Sequence, residues 1–284
     1  MTSSRPLLTS YSAQDGVKLV ARVWQRNDAI ADVVYLHGIV SHGGWYESSC
    51  VNLAERGFQV HFLERRGSGL NIKNRGDVDH WHTWMSDVSV YLQALPSDRP
   101  RILLGISWGG ILATALVRRH PEMLAGLGLI CPGLFSFKAA NRLQRVALRA
   151  AAALGLNAVK VQVPLQDPAL FTNSVEGQRY VAEDPLALRK ITVQFAKQNL
   201  ALLRYAVESP EEIEVPVLLM LASDDPVTDN VRTRAFVARV GHRDRTIIEY
   251  AGASHTLEFE DDPSQYFSDL TAWCTRIARP EQRS

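Results

Sequence analysis

The sequence predicts an α/β protein: a mostly parallel central sheet flanked by helices on both faces, with a helical insertion. Three observations predict it. Short apolar runs of strand length alternate with segments of helical spacing over most of the chain. Before them, two strand-like runs at 7–13 and 18–26 flank Asp15-Gly16, a hairpin turn signal. The alternation breaks between Cys131 and Pro216, where about eighty residues carry helical patterning and no clear strand.

The elements follow in order. Residues 32–37 form a strand ending in His37-Gly38, and 45–56 a helix stopped by Gly57. A strand at 58–64 and a helix at 81–95 come next. Residues 101–120 read RILLGISWGGILATALVRRH: a buried strand, a tight turn, then a helix. That helix closes on Arg118, Arg119 and His120, where positive charge is welcome, and Pro121 stops it. Strands at 124–131, 216–221 and 246–250 and helices at 231–240 and 265–278 complete the pattern. The core therefore spans 1–133 and 214–284, with a helical lid insertion at 134–213. The insertion enters after a strand's C-terminal end, the edge where open α/β sheets bind ligands.

Composition excludes several functions. A chain of 284 residues, 46% hydrophobic, can bury a large core. Its 31 Lys and Arg against 30 Asp and Glu leave a net charge of +1, so nucleic acid is not an expected partner. Cys50, Cys131 and Cys274 lack C-x-x-C spacing and leave an odd count, which argues against a disulfide framework or a zinc site. The opening MTSSRPLLTSY holds no secretory apolar segment, and no apolar run approaches the ~18 residues of a membrane span. A cytoplasmic protein in a reducing compartment is expected.

Gly105-Ile106-Ser107-Trp108-Gly109 lies at the strand–helix junction and has the G-x-S-x-G form of a nucleophile elbow. The turn lifts the Ser107 hydroxyl clear of the backbone and aims a helix N-terminus at any developing oxyanion. A serine nucleophile needs a base, and the base an orienting acid. The strand PVLLMLASDD delivers Asp224 and Asp225 to the same sheet edge, and TIIEYAGASH delivers His255. Asp225 is the expected acid, with Asp224 its solvated neighbour. Two N–H donors must converge on the oxyanion; Trp108 supplies one, and Ile39, after His37-Gly38, is the candidate second.

These residues resemble the α/β-hydrolase-fold serine hydrolases, most closely the monoacylglycerol lipase and lysophospholipase branch. The family's HG, short loop and H-x-G-x-Y appear in the run from His37 to Tyr46. Its G-x-x-D is matched by Ala222-Ser223-Asp224-Asp225 and its G-x-x-H by Gly252-Ala253-Ser254-His255. Its D-x-R-G-x-G-x-S stands as Glu64-Arg65-Arg66-Gly67-Ser68-Gly69-Leu70-Asn71. The chain departs from the family at Ser41, Trp45 and Trp108, which replace an acidic residue, a basic residue and a Met or Gln. The resemblance runs from about residue 15 to the C-terminus and is weakest in the insertion. It implies hydrolysis of a carboxylic ester of a small-molecule or lipid-like substrate, without cofactor or metal. The same triad also serves thioesterases, C–C hydrolases and perhydrolases, and the fold hosts non-catalytic receptors.

Other clusters have plainer readings. His37 and His42 are expected to hold the oxyanion loop rather than act as bases. His80 and His82, near Asp77 and Asp79, lie two apart and so on different sides of a helix, which argues against a metal. Arg75-Gly76-Asp77 reads as a solvated loop, and Glu258, Glu260, Asp261 and Asp262 as a charged surface. In the insertion, Lys138, Arg142, Arg145 and Arg149 fall on one helical face and Leu143, Val146, Ala147, Ala150 and Leu154 largely on the other. Either the apolar face packs on the core and the basic stripe is merely solvated, or the helix makes weak peripheral contact with an anionic membrane.

Overall fold

In the computed structural model, which describes residues 5–279, the chain opens with an antiparallel hairpin, β1 (Leu7–Ser12) and β2 (Lys18–Trp24). Strand β3 (Ala31–Leu36), helix α1 (Glu47–Glu55), strand β4 (Phe58–Leu63) and helix α2 (Trp81–Ala94) follow. Then come β5 (Arg101–Ile106), α3 (Trp108–Arg119) and β6 (Gly126–Ile130). Eight strands form one sheet, which the returning chain completes after a long excursion.

That excursion holds α4 (Arg142–Ala153), β7 (Lys160–Gln162), α5 (Val175–Glu183), β8 (Lys190–Thr192) and α6 (Val193–Glu208). The sheet resumes with β9 (Val217–Ala222), α7 (Asn230–Val237), β10 (Arg245–Tyr250) and α8 (Ser264–Ala278). Its spatial order is β1-β2-β4-β3-β5-β6-β9-β10, parallel from β4 to β10. Every residue of β3, β6 and β9 is buried, because helices cover both faces of a parallel sheet. None of the described helices is long and apolar enough to cross a membrane.

The insertion differs from its expected all-helical character. Strands β7 and β8 pair antiparallel through three residues each, too short for a two-residue period to show in the sequence. Its helices also divide into two kinds. On α6, Phe195, Leu202 and Ala206 are fully buried in the main core, and the helix packs along α3. Helix α4 buries no residue at all. A capping box between Asn141 and Gln144 starts it, and its Ala, Leu, Arg and Gln content supports it. Because α4 begins at Arg142, Lys138 lies outside the helix and off its basic stripe.

The Arg75-Gly76-Asp77 loop is a fastening rather than a solvated turn. The Arg75 guanidinium donates to the Leu186 and Ala187 carbonyls, and Thr192 Oγ1 donates to Asp77 Oδ1 at 2.5 Å. All three contacts reach across more than a hundred residues, so no local pattern announces them.

Candidate active site

Four loops at the C-terminal edge of the parallel strands meet at one point, those following β3, β5, β9 and β10. Ser107 sits between β5 and α3 with φ +49° and ψ −116°, a conformation that a non-glycine residue rarely adopts. Its neighbours explain how the turn is held. A Cβ on Gly105 would lie 2.6 Å from the Gly109 carbonyl oxygen, and one on Gly109 would lie 2.0 Å from that of Leu36. Glycine is therefore obligatory at both ends of the elbow. The Ser107 N–H donates to Ile130 O at 3.0 Å, and its carbonyl accepts from Gly110 and Gly133.

The side chain reaches a complete hydrogen-bonded line. Ser107 Oγ lies 2.9 Å from His255 Nε2, and His255 Nδ1 donates to Asp225 Oδ2 at 2.8 Å. All three residues are buried. The other carboxylate oxygen, Oδ1, accepts from the Val227 and Thr228 amides. Burial is the largest single influence on the Asp225 carboxyl and would raise its pKa. The His255 ring and the two amide donors together outweigh it and hold the group below the usual carboxylate value. Asp224 is exposed and accepts from Ser223 Oγ, so the structure brings Asp225 to His255 and leaves Asp224 outside.

Ile39 and Trp108 both line the space above Ser107. Among the described residues neither backbone N–H donates to a protein acceptor, which leaves two free donors beside the hydroxyl. His37 supports one of them. Its Nε2 accepts from the Arg65 N–H, so Nδ1 carries the proton and donates to Gly38 O at 2.8 Å. Burial, then the Arg65 cation, holds the ring's pKa well below normal, and His37 stays neutral. His42 is likewise structural: Nδ1 accepts from the Gly44 N–H and Nε2 donates to Asp184 at 3.0 Å.

Ser107 forms part of the floor of a cavity of about 580 Å³, roofed by the insertion. Ile111, Leu148, Val161, Leu165, Leu200 and Leu203 make its lining mostly apolar. Among the described residues Lys138 is the one charged side chain on its wall. The Cys131 thiol, the Asp225 carboxylate and the His255 ring lie within 4.8 Å of one another, a set that a metal could use. The set suits proton handling better. Asp225 and His255 already bond each other, and burial, with the Asp225 charge, pushes the Cys131 thiol pKa well up.

A model of the family described as serine aminopeptidase, S33, matches residues 27–262. The chain belongs to that family. The fold is accordingly the α/β-hydrolase fold. The chain is 24% identical over 278 residues to monoacylglycerol lipase of Mycolicibacterium smegmatis, covering 96% of this chain and 98% of that protein. It is 26% identical over 279 residues to an uncharacterized abhydrolase domain-containing protein of Dictyostelium discoideum, of whose length it spans 29%, with 96% of this chain covered. The crystal structure of Paleococcus ferrophilus monoacylglycerol lipase superposes with a TM-score of 0.84 at 21% identity, covering 92% of this chain and all of that one.

Four residues near this α/β-hydrolase site have roles that the sequence pattern does not announce. Arg65 and Asp184 act through contacts distant in sequence, marked only by the charged pair Arg65-Arg66 straight after an apolar strand. Glu258 and Glu260 correct the reading of a charged surface. Glu260 accepts from the Ser254 N–H at 2.7 Å, and Glu258 Oε1 from the Ser49 N–H at 2.8 Å. Glu258 Oε2 is buried without a partner among the described residues, and burial pushes the carboxyl up to about 7.

Proposed function

We propose that the protein is a carboxylic ester hydrolase that cleaves lipid-like esters, of monoacylglycerol or lysophospholipid type, through Ser107, His255 and Asp225. The observation that carries the reading is the 2.9 Å contact between Ser107 Oγ and His255 Nε2 beneath a large apolar cavity. Ser107 Oγ attacks the ester carbonyl carbon while its proton passes to His255 Nε2. The charge on the carbonyl oxygen is met by the Ile39 and Trp108 N–H groups and the α3 N-terminus. His255 then protonates the leaving alkoxide, and the alcohol departs. Water attacks the acyl-enzyme, His255 takes its proton, and the carboxylic acid is released as Ser107 is restored. Asp225 fixes the imidazole tautomer throughout.

The apolar lining supports an acyl chain as the part of the substrate that the cavity holds. The monoacylglycerol lipases among the similar proteins support the same substrate class. Three buried unpaired cysteines suit a cytoplasmic, reducing compartment. A fluorophosphonate should add to Ser107 alone, and purified protein should release fatty acid from monoacylglycerols and lysophospholipids. Absence of both the adduct and the release would overturn the reading.

A peripheral contact with anionic membrane extends it. Leu143 and Leu154 on the insertion are each 77% exposed and Val146 57%, beside Arg142, Arg145 and Arg149. The expectation that the apolar face packs on the core is thereby corrected: only Gln144, Ala147, Leu148 and Ala151 turn to the cavity. Exposed apolar and basic stripes side by side suit an interfacial helix, and each cation near an anionic surface contributes roughly 1 kcal/mol. The protein should co-sediment with anionic vesicles at low salt and be released near ~0.5 M, where charges are screened. Replacing the three arginines with glutamine should abolish sedimentation and spare hydrolysis of a soluble short-chain ester. Unchanged sedimentation of that variant would refute membrane contact.

A further inference from the structure

Resting on the proposed acyl-transfer chemistry, we infer that Arg65 is the positioning residue of the oxyanion site, holding both of its N–H donors from behind. Arg65 is buried, yet among the described residues no carboxylate pairs with it. The adjacent Glu64 is turned away, accepting from Arg22 and the Gly43 amide. The guanidinium donates to two backbone carbonyls and a serine hydroxyl instead. Nη1 donates to Gly38 O at 3.0 Å, and Nη2 donates to Ile39 O at 2.8 Å and Ser68 Oγ at 3.1 Å.

The first of these bonds decides the geometry. Gly38 C=O and Ile39 N–H belong to one peptide unit, and the described residues contain no cis peptide. In a trans peptide the two groups point in opposite directions. Fixing the carbonyl toward Arg65 therefore turns the Ile39 N–H the other way, toward the cavity that Ile39 lines. His37 Nδ1 shares that carbonyl at 2.8 Å, and the Arg65 N–H fixes the His37 tautomer that makes this possible.

The central carbon of the same guanidinium lies over the Trp108 ring, 4.5 Å from its centroid. Trp108 Nε1 donates to Asn199 on α6, so the indole is clamped between Arg65 and the insertion. Trp108 carries the second N–H donor. One side chain thus braces both halves of the site, and its unpaired positive charge favours the oxyanion electrostatically.

The test separates transition-state binding from ground-state binding. In Arg65→Met, kcat for a p-nitrophenyl ester should fall about 10²-fold or more, the scale of losing an oxyanion donor, with KM within about twofold. Affinity for a trifluoromethyl ketone, which fills the oxyanion site as a hemiketal, should fall in step. Affinity for a non-hydrolysable ether analogue of the substrate should hold. Arg65→Lys keeps the charge and one carbonyl bond and should recover part of kcat. If Arg65→Met does not fold, Ser68→Ala removes one anchor of the guanidinium and should lower kcat severalfold at constant KM.

Wild-type kcat in every variant, or equal losses for ketone and ether, would overturn the inference while the serine hydrolase reading stands. Failure of the wild-type protein to hydrolyse the ester or react with a fluorophosphonate would instead overturn that reading.

Discussion

Asp184 and His42, 142 residues apart in sequence, meet at 3.0 Å and tie the insertion to the loop that carries Ile39. The same carboxylate oxygen accepts from Trp45 Nε1 at 2.7 Å. Asp184→Ala leaves two buried donors unsatisfied, each costing about 1–3 kcal/mol. A loss of about 2–4 kcal/mol in urea unfolding is expected, and a change below about 0.5 kcal/mol would mean that the contact is incidental.

The two neighbouring carboxylates should separate sharply. Asp225→Asn should lower kcat by on the order of 10⁴, as loss of the orienting acid does in serine proteases. Asp224→Asn should leave it within about threefold, because that side chain is exposed and does not reach His255. Steady-state kinetics of the two variants would reverse the assignment if the larger loss fell at Asp224.

Glu258 gives a pH dependence whose sign is fixed. Its folded pKa of about 7 lies above the ordinary value of 4.5, so the folded state holds the proton more tightly. The contribution of this group to stability is full below about pH 4.5, falls as pH rises to the folded value, and levels off above it. A shift of this size corresponds to about 3 kcal/mol. Glu258→Gln should flatten the fall, matching the wild type at pH 4 and exceeding it at pH 8 in thermal unfolding. A parallel decline in both proteins would place the dependence elsewhere.

Backbone strain at Ser107 predicts an order among inactive variants. Both Ser107→Ala and Ser107→Gly lose the hydroxyl and should lose several orders of magnitude in kcat. Glycine alone adopts φ +49° without strain of about 1–3 kcal/mol, partly offset by its greater freedom when unfolded. Ser107→Gly should therefore unfold about 1 kcal/mol later than Ser107→Ala. The opposite order in denaturant midpoints would show that the turn is relaxed.

What the sequence made legible depended on periodicity and order along the chain. The strands of the main sheet stand out because burial on both faces leaves unbroken apolar runs such as Val217–Ala222. Ser107, Asp225 and His255 stand out because each follows a strand in a recognisable order, and their side chains meet in the fold. Arg65 and Asp184 escaped notice because their roles arise from contacts made only when distant segments fold together. Glu258 misled because three more acidic residues follow within four positions, a pattern that reads as surface although its own carboxylate is enclosed. Three-residue strands such as Lys160–Gln162 are below the length at which any period can be read.

Helix α4 buries none of its own residues, yet Ala147, Leu148 and Ala151 face the cavity above Ser107. Under the proposed function, an acyl chain lying there would give those side chains further apolar contact. A bound acyl chain would then be a packing partner of α4 as well as a reactant. Occupancy and local order in the roof thus share one equilibrium: a ligand at 100 times its Kd adds about 2.7 kcal/mol to whatever conformation binds it. Protease resistance around α4 should therefore rise with ligand concentration and track saturation of the site, and hydrolysis would loosen the roof as it consumes the molecule that ordered it.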